Sequence, residues 1–145
     1  MAPVFSVDMR NEIKEILKNL GCPKSICIRG AAGLVADWEN FANSIANGSE
    51  CSLDYYLNRI DGRLILFILE SQFGDREEWS NQNYFERVRT LDSSFKSALN
   101  AIEFRNVARL PDSIGWVCSG IPHFVQQNTI SNWTEALEAV QLPSL

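Results

Sequence analysis

Along much of the chain apolar residues recur every three or four positions, the period of an amphipathic α-helix. Ile13, Ile16, Leu17 and Leu20 predict a first helix over 7–20, with Ser6 or Asp8 placed to cap it and Gly21 to stop it. Leu34, Val35, Trp38, Phe41, Ala42 and Ile45 predict a second over 31–47, ended by Gly48. Ser52 is placed to cap a third that runs to about Phe73. Within it, Leu64 to Leu69 is apolar on every face, the signature of a central, fully buried element. Asp75 with Glu78 resembles a capping box for a fourth helix. There Tyr84, Val88, Leu91, Phe95, Ala98 and Ile102 alternate by four and three, as in the seam of an antiparallel bundle. A last helix over 132–140 presents Trp133, Ala136, Leu137 and Val140.

Two stretches break this pattern. Pro23 interrupts 22–30, where Ile26-Cys27-Ile28 could be a short strand, and Ile114 to Cys118 could also be extended. The expected fold is therefore all-α: a compact bundle of about five helices, with 26–28 and 114–118 as candidates for a minor two-stranded ribbon. A chain of 145 residues suits one domain spanning 1–145. The strongest apolar run, Leu64 to Leu69, is far too short to cross a membrane. The first dozen residues lack a basic start followed by an apolar block, so no secretory signal is read.

The four cysteines, Cys22, Cys27, Cys51 and Cys118, form no second close pair, and His123 is the sole histidine. A zinc site would have to collect ligands from distant segments, so no metal and no cofactor is expected. Free thiols in a reducing compartment fit better, and the expected location is cytoplasmic.

The segment 52–63 carries a polar stripe. Asp54, Asn58 and Asp61 are spaced four and then three, beside the apolar face of Leu53, Leu57, Ile60 and Leu64. Charged groups bordering a core must be paired or hydrogen-bonded. Asn58, Asp61, Arg63 and Asp92 are accordingly expected to form a buried polar network that fixes helix register.

Catalytic patterns are sparse. No serine near His123 sits in a nucleophile-elbow pattern, and no phosphate-cradling loop or dinucleotide fingerprint is present. Asp54 and Asp61 lie roughly 10 Å apart along a helix, long for a working carboxylate pair. Arg87, Arg89, Lys96, Arg105 and Arg109 could hold an anion, with Arg89 and Lys96 on one helix face, though a solvated face is the simpler reading.

Net charge is −5, unevenly spread. Residues 50–78 hold seven acids and three bases, whereas 79–109 hold three acids and five bases. No dominant basic face is expected, which argues against direct nucleic-acid binding. An acidic surface would instead attract a basic protein.

The run Leu53-Asp54-Tyr55-Tyr56-Leu57-Asn58-Arg59-Ile60-Asp61-Gly62-Arg63, then Leu91-Asp92-Ser93-Ser94-Phe95, then Trp116, resembles a pattern in small bacterial helical proteins of uncharacterised function. The resemblance covers residues 52–118. The chain departs from that pattern at Gly62, where a β-branched residue is usual, and in having Trp116 alone where several aromatics are usual. The resemblance implies a helical fold and no particular activity. In type, such small acidic helical proteins are similar to immunity proteins of bacterial toxin systems.

The expectation is thus a non-enzymatic, immunity- or antitoxin-like protein. It would cover the active site of a basic toxin domain, for instance a nuclease. The expected contact residues are Glu50, Asp54, Tyr55, Asp75, Glu77, Glu78, Trp79 and Trp116, with the aromatics as exposed anchors. The alternative is a small enzyme or ligand-binding domain with a polar pocket between the third and fourth helices.

Overall fold

The computed structural model describes residues 5–102 and 110–143. Among them are seven α-helices and one small antiparallel ribbon: α1 Val7–Asn19, α2 Lys24–Ala46, α3 Leu53–Phe73, α4 Glu77–Ser80, α5 Tyr84–Lys96, β1 Leu99–Ala101, α6 Asp112–Gly115, β2 Gly120–Pro122 and α7 Ile130–Glu138.

The helix starts follow from local chemistry. The Ser6 hydroxyl accepts from Met9 N–H and the Ser52 hydroxyl from Tyr55 N–H, each satisfying a donor that the first turn leaves free. Gly21 and Gly48 lie just beyond α1 and α2 with φ of 80° and 84°, a left-handed turn that suits glycine.

The segment 26–28 is not a strand. It belongs to the first turns of α2, where Cys27 N–H donates to Pro23 O. Pro23 opens this helix rather than breaking it, because the first helical positions need no N–H partner. The real interruption is Gly30, at φ 65° and ψ −155°, and Ala31 begins the second, straight part. Residues 114–118 are not extended either; they form the end of α6 and a 3-10 turn over Trp116–Cys118. The ribbon instead pairs Leu99 with Pro122, Asn100 with Ile121 and Ala101 with Gly120.

The expected fourth helix is two. Asn83, at φ 58°, separates α4 from α5, and the seam ends at Lys96, so Ala98 and Ile102 lie past the helix. The expected capping box does not form. Arg76 occupies the cap position without a side-chain bond, and Glu78 is turned to α1, where its carboxylate accepts from Ser6 N–H at 2.7 Å and Ser6 O–H at 3.1 Å.

The helix at the centre is α2. It packs against α1, α3 and α5, while α3 and α5 make few contacts with each other. One apolar cluster joins Leu17, Val35, Trp38, Phe41, Tyr56, Leu64, Leu69, Phe95, Val117 and Leu137. The run Leu64 to Leu69 is mostly buried, but Phe67 is only half-buried and faces a gap rather than the core. That gap is the consequence of the architecture. Two helices that lean on the same third helix leave a groove on the side away from it.

Candidate functional site

The groove between α3 and α5 has a volume of about 450 Å³. That lies within the range of small-molecule sites. On α5 it is edged by Phe85, Arg89, Asp92 and Lys96, spaced four, three and four, which is one helical face. On α3 it is edged by Arg63, Phe67 and Glu70, again four and three apart. Trp79 and Tyr84 close one end; Trp116 and Ser113 stand at the other.

Its floor is an ion pair. Arg63 Nε donates to Asp92 Oδ1 at 3.0 Å and Nη2 to Oδ2 at 2.9 Å, and both side chains are close to buried, at 11% and 10% exposure. Trp38 Nε1 donates to Asp92 Oδ1 at 3.0 Å. Both carboxylate oxygens are thus engaged, as a desolvated charge requires. The Arg63 guanidinium also lies 5.8 Å from the centre of the Trp116 ring.

Two cations on the α5 rim are arranged differently. Arg89 sits 5.2 Å over Phe85 and Lys96 Nζ sits 4.2 Å over Trp116. Neither has a carboxylate partner among the described residues. At the opposite end Glu70 accepts from Trp79 Nε1. The hydroxyls of Ser71 and Ser93 donate to the carbonyls of Phe67 and Arg89 one turn back, so their protons are spent on the helices.

A second cavity, about 380 Å³, lies across Arg63 from the first. Asp37, Asn58, Arg59, Asp61 and Arg63 line it together with Leu20, Ile26, Leu34 and Ile65. Asp37 is held bidentately by Arg29 at 3.0 Å, with Arg59 at 3.9 Å. The carboxyl of Asp61 stands at the rim, open to solvent on one side. The protein behind it desolvates it and raises it above the ordinary aspartate value.

The structure therefore brings together Arg63 and Asp92 but not Asn58 and Asp61, which make no hydrogen bond or ion pair with them. The reason is rotational. Two residues along a helix turn the side chain by about 200°, so the Arg63 guanidinium reaches Asp92 on α5 while Asp61 stays at the rim of the second cavity, which Arg63 also borders. Trp38 is the third member of the network and was not foreseen, since only tertiary packing brings an indole from α2 to Asp92.

The residues expected to meet a partner are also divided. Glu50, Asp54 and Tyr55 lie at the start of α3, and Asp75, Glu77 and Glu78 lie beyond its end. A helix of 21 residues puts about 30 Å between these groups, so they do not make one acidic face. Glu78 is engaged with Ser6, and neighbouring Arg76 pairs with Glu12. Trp79 is no exposed anchor; it is 2% exposed and stacks with Phe73 and Phe5. Trp116 is half-buried in the groove wall, and Tyr55, at 46% exposure, lies under Arg59. Of the basic residues that could hold an anion, Arg87 pairs with Glu39, and Arg105 and Arg109 lie outside the described residues.

The groove walls Phe67, Glu70, Tyr84, Phe85 and Ser113 escape a reading by type alone. Their signal is the shared spacing of charged and aromatic residues on facing stripes of α3 and α5. Among the described residues no group of three or more His, Cys, Asp and Glu is placed to hold a metal ion, and no helix is long and apolar enough to cross a membrane. No protein-family model, curated protein or solved structure matches the chain.

Proposed function

We propose that the protein is a ligand-binding protein and that its working site is the groove between α3 and α5. The observation that carries this reading is a concave site with a built floor. The Trp38–Asp92–Arg63 network holds both walls at fixed spacing, while the rim keeps two cations that meet no carboxylate among the described residues. A rigid floor with available side chains above it is what binding without large rearrangement requires. Turnover has less support than binding. Both Asp92 oxygens are engaged, the serine protons of Ser71 and Ser93 are donated to backbone, and His123, just after β2, does not line the groove. Neutralisation of a basic toxin is the weaker alternative, because the acidic residues fall into two groups at opposite ends of α3.

The test is a fragment screen read by amide chemical shifts. Compounds that bind should perturb residues 63–71 and 85–96. Ser93→Trp, an exposed position on the groove edge, should abolish those shifts while leaving the melting temperature close to that of the parent. Fragment shifts confined to the second cavity, or unaffected by Ser93→Trp, would overturn the assignment.

A further inference from the structure

We propose that the ligand of the α3–α5 groove is an anion carried on an apolar body, with its charged head between Arg89 and Lys96 and its body directed toward Tyr84. The inference rests on the groove being the binding site and adds the class of molecule that fills it.

Near Arg89 and Lys96 the one groove carboxylate, Asp92, is already paired with Arg63 and Trp38, while Glu70, held through one oxygen by Trp79, stands at the other end. Arg89 and Lys96 rest on the faces of Phe85 and Trp116 and meet no carboxylate among the described residues. A cation on an aromatic face at an exposed site is held less firmly than one in a charge-assisted hydrogen bond, so an incoming anion can draw both side chains onto itself. An incoming cation would meet an acceptor only at the far end, on Glu70, whose second oxygen Trp79 leaves open, and would be repelled by the like charges of Arg89 and Lys96 at the near end.

The apolar part follows from the walls. Phe67 is half-buried and turned to the gap, and Phe85 is 51% exposed, with Tyr84 and Val88 between them. From Phe85 to the midpoint between Arg89 and Lys96 the axis of α5 advances about 11 Å. One elongated molecule of about that length can therefore place its head between the two cations and its body along the aromatic walls. Carboxylates and phosphates share the required head chemistry.

The experiment compares octanoate, octyl phosphate, octanol and octyltrimethylammonium, each titrated into the full chain and followed by amide shifts. Octanoate and octyl phosphate should perturb residues 63–71 and 85–96 and bind at least about tenfold more tightly than the alcohol or the cation. The tighter of the two anions identifies the head group. The double variant Arg89→Gln, Lys96→Gln should lose about tenfold in affinity for both anions and leave octanol unchanged, with unperturbed shifts elsewhere reporting an intact fold. Binding of octanol or the cation in the groove as tightly as the anions would overturn the ligand class and leave the site standing. Absence of groove shifts with all four probes would overturn both.

Discussion

The thiol of Cys118 is fully buried, and burial, with a smaller contribution from Asp61, pushes it up to about 12 from an ordinary value of 9.0. Tyr56 beside it is buried too, and its hydroxyl has no hydrogen-bond partner among the described residues. Above about pH 9 the unfolded chain releases the Cys118 proton, whereas the fold retains it until about pH 12. The folded state then binds more protons than the unfolded one, so stability falls as pH rises through that window. Cys118→Ala should flatten this alkaline decline in denaturant melts run from neutral to alkaline pH, whatever its cost at neutral pH. A slope equal to that of the parent would mean that Cys118 does not titrate differently in the two states. At this scale the sequence was readable for kind but not for direction. Arg63 and Asp92 could be marked as core-bordering charges from their neighbours. That Asp61 bonds to neither, and that Trp38 completes the group, depends on rotation about α3 and on which helix α2 lies against.

Among the elements, α2 shows where local signals held and where they were overridden. The stripe from Leu34 to Ile45 marked the helix from Ala31 onward, and Gly30 does break the chain there. Lys24 to Arg29 was unreadable because Pro23 can end a helix or open one, and only the N–H of Cys27 reaching Pro23 O decides between them. Gly30 has φ 65° and ψ −155°, a region open essentially to glycine alone. Nothing lies within 4 Å of a Cβ built there, so its requirement is conformational and not steric. Gly30→Ala should therefore destabilise the protein by about 1–3 kcal/mol in urea melts, although the methyl group would point into open space. The ribbon illustrates the opposite failure. Leu99-Asn100-Ala101 is too short for its alternation to signal a strand and has no β-branched residue, and its pairing depends on Gly120, where a Cβ would come within 2.8 Å of the Leu99 Cβ. Three-residue strands made by close approach leave almost no periodic trace.

For the whole molecule, the helical class and most of the core were legible because amphipathic periodicity is written over long windows. The groove was not, since it is the space left when α3 and α5 both pack on α2. Charge counts by segment carry no such distance: residues 50–78 are acidic in sequence, and α3 sets the acids at its start about 30 Å from those beyond its end.

The contact between Glu78 and Ser6 joins residues 72 positions apart, and it is reinforced by Phe5 stacking on Trp79 and Glu12 pairing with Arg76. It has a consequence in time. During synthesis α1 is made first and can cap itself through Ser6, but the surface that latches it is made only after α2 and α3 are complete. Closing so long a loop is entropically costly, which places the latch after the folding barrier. Glu78→Ala should then speed unfolding while leaving the refolding rate nearly unchanged in stopped-flow chevrons. The first turn of α1 is thus secured later than the packing of its buried face on α2, and is released before it.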